Sequence, residues 1–239
     1  MSARLENALK SVPHPIFDRF LQFSSGKIKK KRPLRLTFFL ISLVTFFIVF
    51  SPSLVANTRI LVLGDSLTAG FGLEKDEAFP YLLNQQLIKL GYKETEVING
   101  GFSGSTSASA IKRMRWYLKI KPDILILELG ANDGLRGHKI ESIRKNLEDA
   151  IRLALDNGIK VILAGMKMPR NYGEDYTNQF EAIYWSLAEE YSITLIPFLL
   201  EGVAGKPELN LADGIHPNPE GQEIVSKTVL KYVLPLLKK

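Results

Sequence analysis

The chain has 239 residues, of which 46% are hydrophobic and 23% are charged. This composition excludes a disordered chain and a multi-span membrane protein, and the length suits one domain of roughly 180 residues with an accessory segment. The net charge of +6 at pH 7 is uneven, because residues 1–35 hold nine Lys and Arg against two acidic residues and the rest is nearly neutral. The main domain therefore lacks the basic field that attracts nucleic acid, and we predict no nucleic-acid partner.

The sequence contains no cysteine. This excludes a disulfide framework, a thiolate nucleophile, a Cys-ligated metal and an acyl anchor of the lipobox type. It does not distinguish an oxidising compartment from a reducing one, since chains without cysteine occur in both.

A basic cluster and then an apolar segment precede the main domain. Residues 27–35 are rich in Lys and Arg, no charged residue occurs from Leu36 through Thr58, and the stretch that ends at Phe50 is nearly all apolar. A basic region, an apolar region of ~15 residues and small residues, in this order, are typical of a signal peptide, and an uncleaved membrane anchor is the alternative. Because basic residues stay on the cytoplasmic side, both alternatives predict an extracytoplasmic domain, periplasmic or secreted.

After residue 56, short β-branched apolar runs alternate with longer helical patterns. Predicted strands cover residues 59–63, 96–98, 124–129, 160–164 and 193–196, and predicted helices cover 78–90, 105–119, 141–157, 175–191 and 219–236. Strands separated by helices of this length favour parallel β-α-β units, and the solidly apolar run at 124–127 indicates a strand covered on both faces. We therefore predict an α/β fold, built as a three-layer α/β/α sandwich.

Ser66 is the candidate nucleophile. It follows the first predicted strand through Gly64 and Asp65, so its hydroxyl would emerge at the carboxyl edge of the sheet, where ligands of parallel sheets bind. Free backbone N–H groups and the helix dipole near a helix start can stabilise an oxyanion there. The alternative is that Ser66 only caps a helix, and Gly-Asp-Ser-Leu by itself does not decide between the two.

His216 is the candidate base. Asp213 lies three residues before it, with a glycine between them that allows a tight turn, so the carboxylate can accept from one ring nitrogen. The other ring nitrogen is then free to take a proton from Ser66. The alternative is an ordinary surface-loop histidine. Of the other two histidines, His14 precedes the apolar segment, and His138 lies in a predicted loop without a carboxylate at comparable spacing.

An acyl-transfer site also needs hydrogen-bond donors that face the developing oxyanion. Gly104 can offer a backbone N–H without a side chain that would block the approach, and Asn132 can offer its side-chain amide. Asn-Asp-Gly is also an ordinary turn sequence, so a turn role is the alternative for Asn132.

Taken together, these blocks resemble the SGNH (GDSL) hydrolase superfamily in their order and distances. They are Gly-Asp-Ser-Leu after the first strand, a glycine in the second loop, Gly-x-Asn-Asp in the third loop and Asp-x-x-His near the end. The longer strings at residues 128–137, 169–173 and 213–217 look more specifically like the bacterial acyl-CoA thioesterase I, lysophospholipase and arylesterase subgroup. The resemblance extends from residue 57 to the end of the chain.

The resemblance implies a flavodoxin-like fold with five parallel strands and a serine hydrolase of lipid metabolism. Its substrate is a small acyl ester or thioester, it forms an acyl-enzyme on Ser66, and it needs no metal or other cofactor. The implied triad is Ser66, Asp213 and His216, and the implied oxyanion hole consists of the Ser66 N–H, the Gly104 N–H and the Asn132 side chain. The charged loop at residues 74–77 departs from the pattern and leaves the substrate preference open.

The predicted organisation is a basic extension over residues 1–35, a signal peptide or membrane anchor over 36–56, and an SGNH hydrolase domain over 57–239, with no oligomeric state specified. A carbohydrate O-acetylesterase with the same triad and a non-catalytic, membrane-tethered α/β binding module are alternatives. A third is a Mg²⁺-dependent phosphoryl-transfer enzyme with Asp65 as the acceptor. It is disfavoured because Leu67 stands where a second carboxylate is needed and because it gives His216 no role.

Overall fold

Five parallel strands form the centre of the protein in the computed structural model, which describes residues 57–237. The spatial order is β2-β1-β3-β4-β5. The strands are β1 (Thr58–Gly64), β2 (Thr95–Gly101), β3 (Ile124–Glu128), β4 (Lys160–Ala164) and β5 (Thr194–Ile196). The predicted five-stranded parallel sheet is therefore confirmed.

Helices cover both faces of this sheet. In the described residues they are α1 (Ser66–Ala69), α2 (Phe79–Lys89), α3 (Ala110–Tyr117), α4 (Ala131–Leu135), α5 (Ile140–Asp156), α6 (Glu174–Glu190) and α7 (Pro219–Val233). Helix α2 packs against α7, whereas α5 packs against α3 and α6. Because the strand order changes direction after β2 and the crossovers of parallel strands are right-handed, these two groups of helices lie on opposite faces.

The core forms where apolar periodicity in the sequence matches the geometry of each element. All five residues of β3 are buried, as expected for a strand with helices on both faces. Helix α5 turns one apolar stripe toward the sheet, with buried residues at Ile143, Leu147, Ala150, Ile151 and Ala154. Each buried leucine or isoleucine of this stripe contributes about 1.5–3 kcal/mol when it is fully removed from water, and each alanine contributes less.

Helix α3 begins later than predicted. The sequence pattern predicts a helix over residues 105–119, but the chain first forms a 3₁₀ turn at Ser107–Ser109 and enters α3 at Ala110. The N–H and the hydroxyl of Ser107 both donate to the carboxylate of Asp133, at 2.7 Å each. This long-range contact holds the start of the segment outside regular helix geometry.

The predicted extension over residues 1–35 and the predicted signal peptide or anchor over 36–56 lie outside the described residues, as do residues 238 and 239. Among the helices between residues 57 and 237, none combines the length and the apolar character that crossing a membrane requires.

Candidate active site

Ser66 is the first residue of α1, immediately after β1, and its side chain is half-buried. The preceding residue, Asp65, is the helix cap: its Oδ1 accepts a hydrogen bond of 3.0 Å from the Leu67 N–H. The capping role that the sequence left open for Ser66 therefore belongs to Asp65, and the Ser66 hydroxyl is free for another partner.

That partner is His216, which lies 150 residues later in the chain. Its Nε2 is 2.9 Å from the Ser66 Oγ, and its Nδ1 is 2.7 Å from an oxygen of Asp213. The loop that carries His216 folds back on itself, because the Leu211 N–H donates to the His216 carbonyl at 2.7 Å. The three predicted triad residues thus form one continuous chain of hydrogen bonds.

The carboxylate of Asp213 is stabilised in its ionised form. One oxygen accepts the backbone N–H groups of His216 and Ile215, at 3.0 and 2.9 Å. These two bonds, together with the bond to the His216 ring, lower the pKa of Asp213 to about 2. An ionised Asp213 favours the imidazole tautomer with its proton on Nδ1, which leaves Nε2 as the acceptor that faces Ser66.

Phe71 packs against the ring of His216, although the sequence analysis did not identify it. The two ring centroids are 4.5 Å apart with an interplanar angle of 36°, and Phe71 is 48% exposed. An aromatic ring at this distance restricts the rotation of the imidazole. An exposed phenylalanine five residues after a candidate nucleophile carries no distinctive local pattern, so its role depends on the tertiary structure.

Asn132 lies in the short helix α4, not in an isolated turn. Its side-chain Nδ2 donates to the Oδ2 of Asp65 at 3.0 Å. Since Asp65 directly precedes Ser66, this bond holds the Asn132 amide beside the candidate nucleophile. One of the two amide hydrogens is used in the bond to Asp65, and the other is available to a ligand.

Two backbone N–H groups are the remaining predicted oxyanion donors. Gly104 lies in the exposed loop after β2 with φ of 79°, a conformation that glycine adopts without strain. Within the described residues the Gly104 N–H has no hydrogen-bond partner, and the Ser66 N–H, as the first of α1, has none within its helix. Neither predicted N–H donor is therefore engaged elsewhere in the described residues, and their oxyanion role stays a prediction.

A fully buried carboxyl group lies beneath these loops. Glu128, at the end of β3, accepts hydrogen bonds on Oε2 from the Asp65 N–H at 3.0 Å and from the Thr68 hydroxyl at 2.7 Å. Gly64 pairs with Glu128 across the two strands, and a Cβ at Gly64 would collide with the Glu128 carboxyl and with Thr68. The first glycine of Gly-Asp-Ser-Leu is thus required by this close contact.

Asp65 is buried as well, at 1% exposure. Burial raises the pKa of Asp65, while hydrogen bonds from the Leu67 N–H and from the side chains of Asn132 and Glu128 lower it in part. Burial and the nearby Asp65 charge raise the pKa of Glu128 well above its usual range. The sequence analysis gave Glu128 no role. A charged residue at the end of an otherwise apolar strand is nevertheless a signal that such a residue has a role in the site.

Arg113 connects the ends of β1 and β2. Its guanidinium donates to the carbonyl of Gly64 at 2.9 Å, to the Ser105 hydroxyl at 3.0 Å and to the carbonyl of Gly100. Burial lowers the pKa of Arg113. This side chain therefore ties the strand that leads to Ser66 to the loop that contains Gly104.

His138, the rival base, has a carboxylate partner that the sequence analysis did not anticipate. Its Nδ1 is 3.4 Å from Asp133, because α4 turns the chain back so that the His138 N–H donates to the Asp133 carbonyl. That carboxylate already accepts from Ser107, whose hydroxyl proton therefore points to Asp133 and not to a base. The His138 cluster has no hydrogen bond to Ser66 among the described residues.

Residues 62–224 match the model of the GDSL-like lipase/acylhydrolase family. The chain belongs to this family. It is 41% identical over 199 residues to the arylesterase of Vibrio mimicus, a match that covers 81% of this chain and 98% of that protein. It is 34% identical over 193 residues to the thioesterase 1/protease 1/lysophospholipase L1 of Escherichia coli K12, which covers 80% and 91% of the two chains.

A solved esterase structure is also similar to this chain. The psychrotrophic esterase EstA from a Pseudoalteromonas species, in a crystal structure inhibited by monoethylphosphonate, superposes with a TM-score of 0.72 at 30% identity. The match covers 76% of this chain and all of that one. The family, the fold and the enzyme class predicted from the sequence are therefore confirmed: the protein is an SGNH serine hydrolase that cleaves carboxylic esters or thioesters.

Proposed function

We propose that ester and thioester cleavage proceeds through an acyl-enzyme on Ser66, with His216 as the base and Asp213 as the residue that orients it. The observation that carries the proposal is the hydrogen-bonded chain from Ser66 Oγ to His216 Nε2 and from His216 Nδ1 to Asp213. This is the geometry in which a weak serine nucleophile becomes reactive, because its proton has an acceptor as the new bond forms.

In the first half-reaction the Ser66 Oγ attacks the carbonyl carbon and its proton moves to Nε2 of His216. The bond from this carbon to the leaving oxygen or sulfur then breaks, and the leaving group takes the proton from Nε2. In the second half-reaction water attacks the acyl-enzyme, gives a proton to Nε2, and the carboxylic acid leaves as the proton returns to Ser66. The Ser66 N–H, the Gly104 N–H and the Asn132 amide stabilise the oxyanion in both steps.

We further propose that the acyl or aryl group of the substrate is apolar. The stretch between each strand and the next long helix contributes one exposed large apolar side chain: Phe71, Phe102, Leu135, Tyr172 and Ile215. Phe71 lies against His216, and the Tyr172 hydroxyl donates to the Leu135 carbonyl at 3.0 Å, which joins two of these segments. An apolar rim favours an arylesterase, acyl-CoA thioesterase or lysophospholipase activity over a carbohydrate O-acetylesterase, whose substrate is polar around a small acetyl group.

A fluorophosphonate probe tests this proposal directly. We expect one covalent adduct, located on Ser66 by peptide mass spectrometry, with no change when EDTA is present and none in Ser66→Ala. In parallel, kcat/KM for p-nitrophenyl esters is expected to rise from the acetyl to longer acyl groups. Absence of an adduct would contradict the assignment of Ser66 as the nucleophile, and a preference for acetyl esters would favour the O-acetylesterase.

The phosphoryl-transfer alternative conflicts with the surroundings of Asp65. An aspartyl nucleophile must expose a carboxylate oxygen to its substrate. The side chain of Asp65 is buried at 1% exposure, and its two oxygens accept from the Leu67 N–H and the Asn132 amide. Modification of Asp65 by the probe, or activity that EDTA abolishes, would be needed to restore this alternative.

We also propose that the hydrolase domain lies outside the cytoplasmic membrane. The support is the sequence before it, in which a basic cluster precedes an uncharged apolar segment over residues 36–56. A reporter that is active only after export, fused after Lys239, is expected to be active, whereas deletion of residues 36–56 should abolish its activity. Full reporter activity in the deletion variant would contradict the proposal.

A further inference from the structure

Glu128 is a fully buried acidic residue that the proposed reaction does not use. Its exposure is 0%, and it lies behind Asp65 and Ser66 at the carboxyl end of β3. An ionised carboxylate in such a place is expensive unless a cation or several hydrogen-bond donors compensate the charge. The charge state of Glu128 can therefore be inferred from its neighbours.

Those neighbours donate hydrogen bonds to only one of the two Glu128 carboxyl oxygens. Oε2 accepts from the Asp65 N–H and from the Thr68 hydroxyl, whereas Oε1 has no hydrogen-bond donor within the described residues. An oxygen that accepts nothing is the one that can carry a proton and donate. The neighbouring acceptor is the Asp65 carboxylate, whose two oxygens each accept one hydrogen bond, from the Leu67 N–H and from the Asn132 amide, and so each keep a lone pair for another donor.

The charged and titratable groups that face Glu128 are Asp65, Arg113 and Tyr184. Arg113 donates to two carbonyls and the Ser105 hydroxyl, and forms no ion pair with either carboxyl in the described part of the chain. The Tyr184 hydroxyl donates to the Leu129 carbonyl at 3.0 Å. None of these groups neutralises a negative charge on Glu128.

We propose that Glu128 is a neutral carboxylic acid that donates a hydrogen bond to Asp65, and that this pair positions the Asn132 amide for the oxyanion. Glu128 is thus a positioning residue that acts through Asp65, whose Oδ2 accepts the Asn132 Nδ2. The proposal rests on the oxyanion role of Asn132 in the proposed function. Keeping one of the two carboxyls neutral also limits the negative charge beneath a site where negative charge must develop.

The pH dependence of stability tests the charge state without any activity measurement. Because burial raises the pKa of Glu128, the folded protein keeps a proton that the unfolded chain releases above the usual glutamate pKa of 4.5. Folding then becomes less favourable as the pH rises from about 5, and Glu128→Gln, which is always neutral, escapes this loss. We expect the melting temperature of Glu128→Gln to rise relative to wild type by about 3–5 °C per pH unit between pH 5 and 8.

The matched control is Glu94→Gln, which changes an exposed glutamate in the loop before β2. The difference in melting temperature between Glu94→Gln and wild type should stay constant with pH. A Glu128→Gln variant that is less stable than wild type by the same amount at every pH would show that Glu128 is ionised in the fold, and would overturn the proposal.

Kinetics test the positioning role. Glu128→Leu, which can neither accept from Asp65 N–H nor donate, should lower kcat by about 10- to 100-fold with little change in KM, and Glu128→Gln should recover most of this loss. If Glu128 acts through Asn132, then Asn132→Ala should lower kcat by a much smaller factor in the Glu128→Leu variant than in the wild-type protein. If the fold-losses in kcat of the two single variants multiply in the double variant, the coupling between Glu128 and Asn132 is contradicted. These comparisons leave the proposed function intact, since labelling of Ser66 in wild type decides that separately.

Discussion

Ser66→Ala and His216→Ala are each expected to lower kcat for ester hydrolysis by about 10⁵-fold or more, the scale seen when a serine triad loses its nucleophile or base. Without Ser66 Oγ no acyl-enzyme forms, and without Nε2 of His216 the serine proton has no acceptor at 2.9 Å. Asp213→Ala should cost at least about 10-fold less, because the base remains with a poorer tautomer preference.

His138→Ala is the matched control for His216→Ala. Both histidines have a carboxylate partner, but only His216 is hydrogen-bonded to Ser66 among the described residues. We expect near-normal kcat in His138→Ala and melting temperatures within a few degrees of wild type in all the variants. Wild-type rates in Ser66→Ala or His216→Ala would refute the assigned roles, and so would an equal loss in His138→Ala.

Asn132→Asp is expected to lower kcat by about 10²-fold or more while KM changes little, as for the loss of one oxyanion donor. The substitution replaces an amide donor with an acceptor at a place where negative charge must develop. If Asn132 only shaped the chain, aspartate would serve equally well, because it is just as common in turns. Steady-state kinetics with a p-nitrophenyl ester measure the effect.

The structure adds a control to this experiment. An aspartate at position 132 would face the Asp65 carboxylate, since the Asn132 Nδ2 is 3.0 Å from the Asp65 Oδ2, and like charges there would lower stability. Asn132→Ala removes the donor without adding charge. Its kcat should therefore fall by a similar factor, whereas its melting temperature should stay closer to that of wild type. A near-normal kcat in Asn132→Ala would leave only the two backbone N–H groups as oxyanion donors.

Much of the site follows from local sequence. The distance from Asp213 to His216 is three residues, so a tight turn is enough to bring the carboxylate to the ring nitrogen. The positions of Ser66, Gly104 and Asn132 after successive predicted strands follow from a general property of parallel sheets, in which the carboxyl ends of the strands lie at one edge. The apolar run at residues 124–127 and the alternation of strands with helices were sufficient to predict the fold class.

The tertiary structure decided the contacts between distant residues. The register of β1 against β3 pairs Gly64 with Glu128, and this register, which no local pattern specifies, brings Glu128 to the Asp65 N–H. The bond from Asn132 to Asp65 spans 67 residues. A sequence shows which residues are apolar and which can form hydrogen bonds, but the partner of each buried polar group depends on how the strands and helices pack.

The same distinction explains what the sequence analysis missed. His138 lacked an evident carboxylate because its contact with Asp133 depends on how α4 turns the chain, and Phe71 reaches His216 only because the loops after β1 and β5 meet. The sequence by itself determined the family, the α/β class and the identity of the candidate triad, since these depend on short motifs and on hydrophobic periodicity. The charge state of Glu128, the orientation of the Asn132 amide and the isolation of His138 from Ser66 depend on burial and on long-range hydrogen bonds, which exist only in the folded chain.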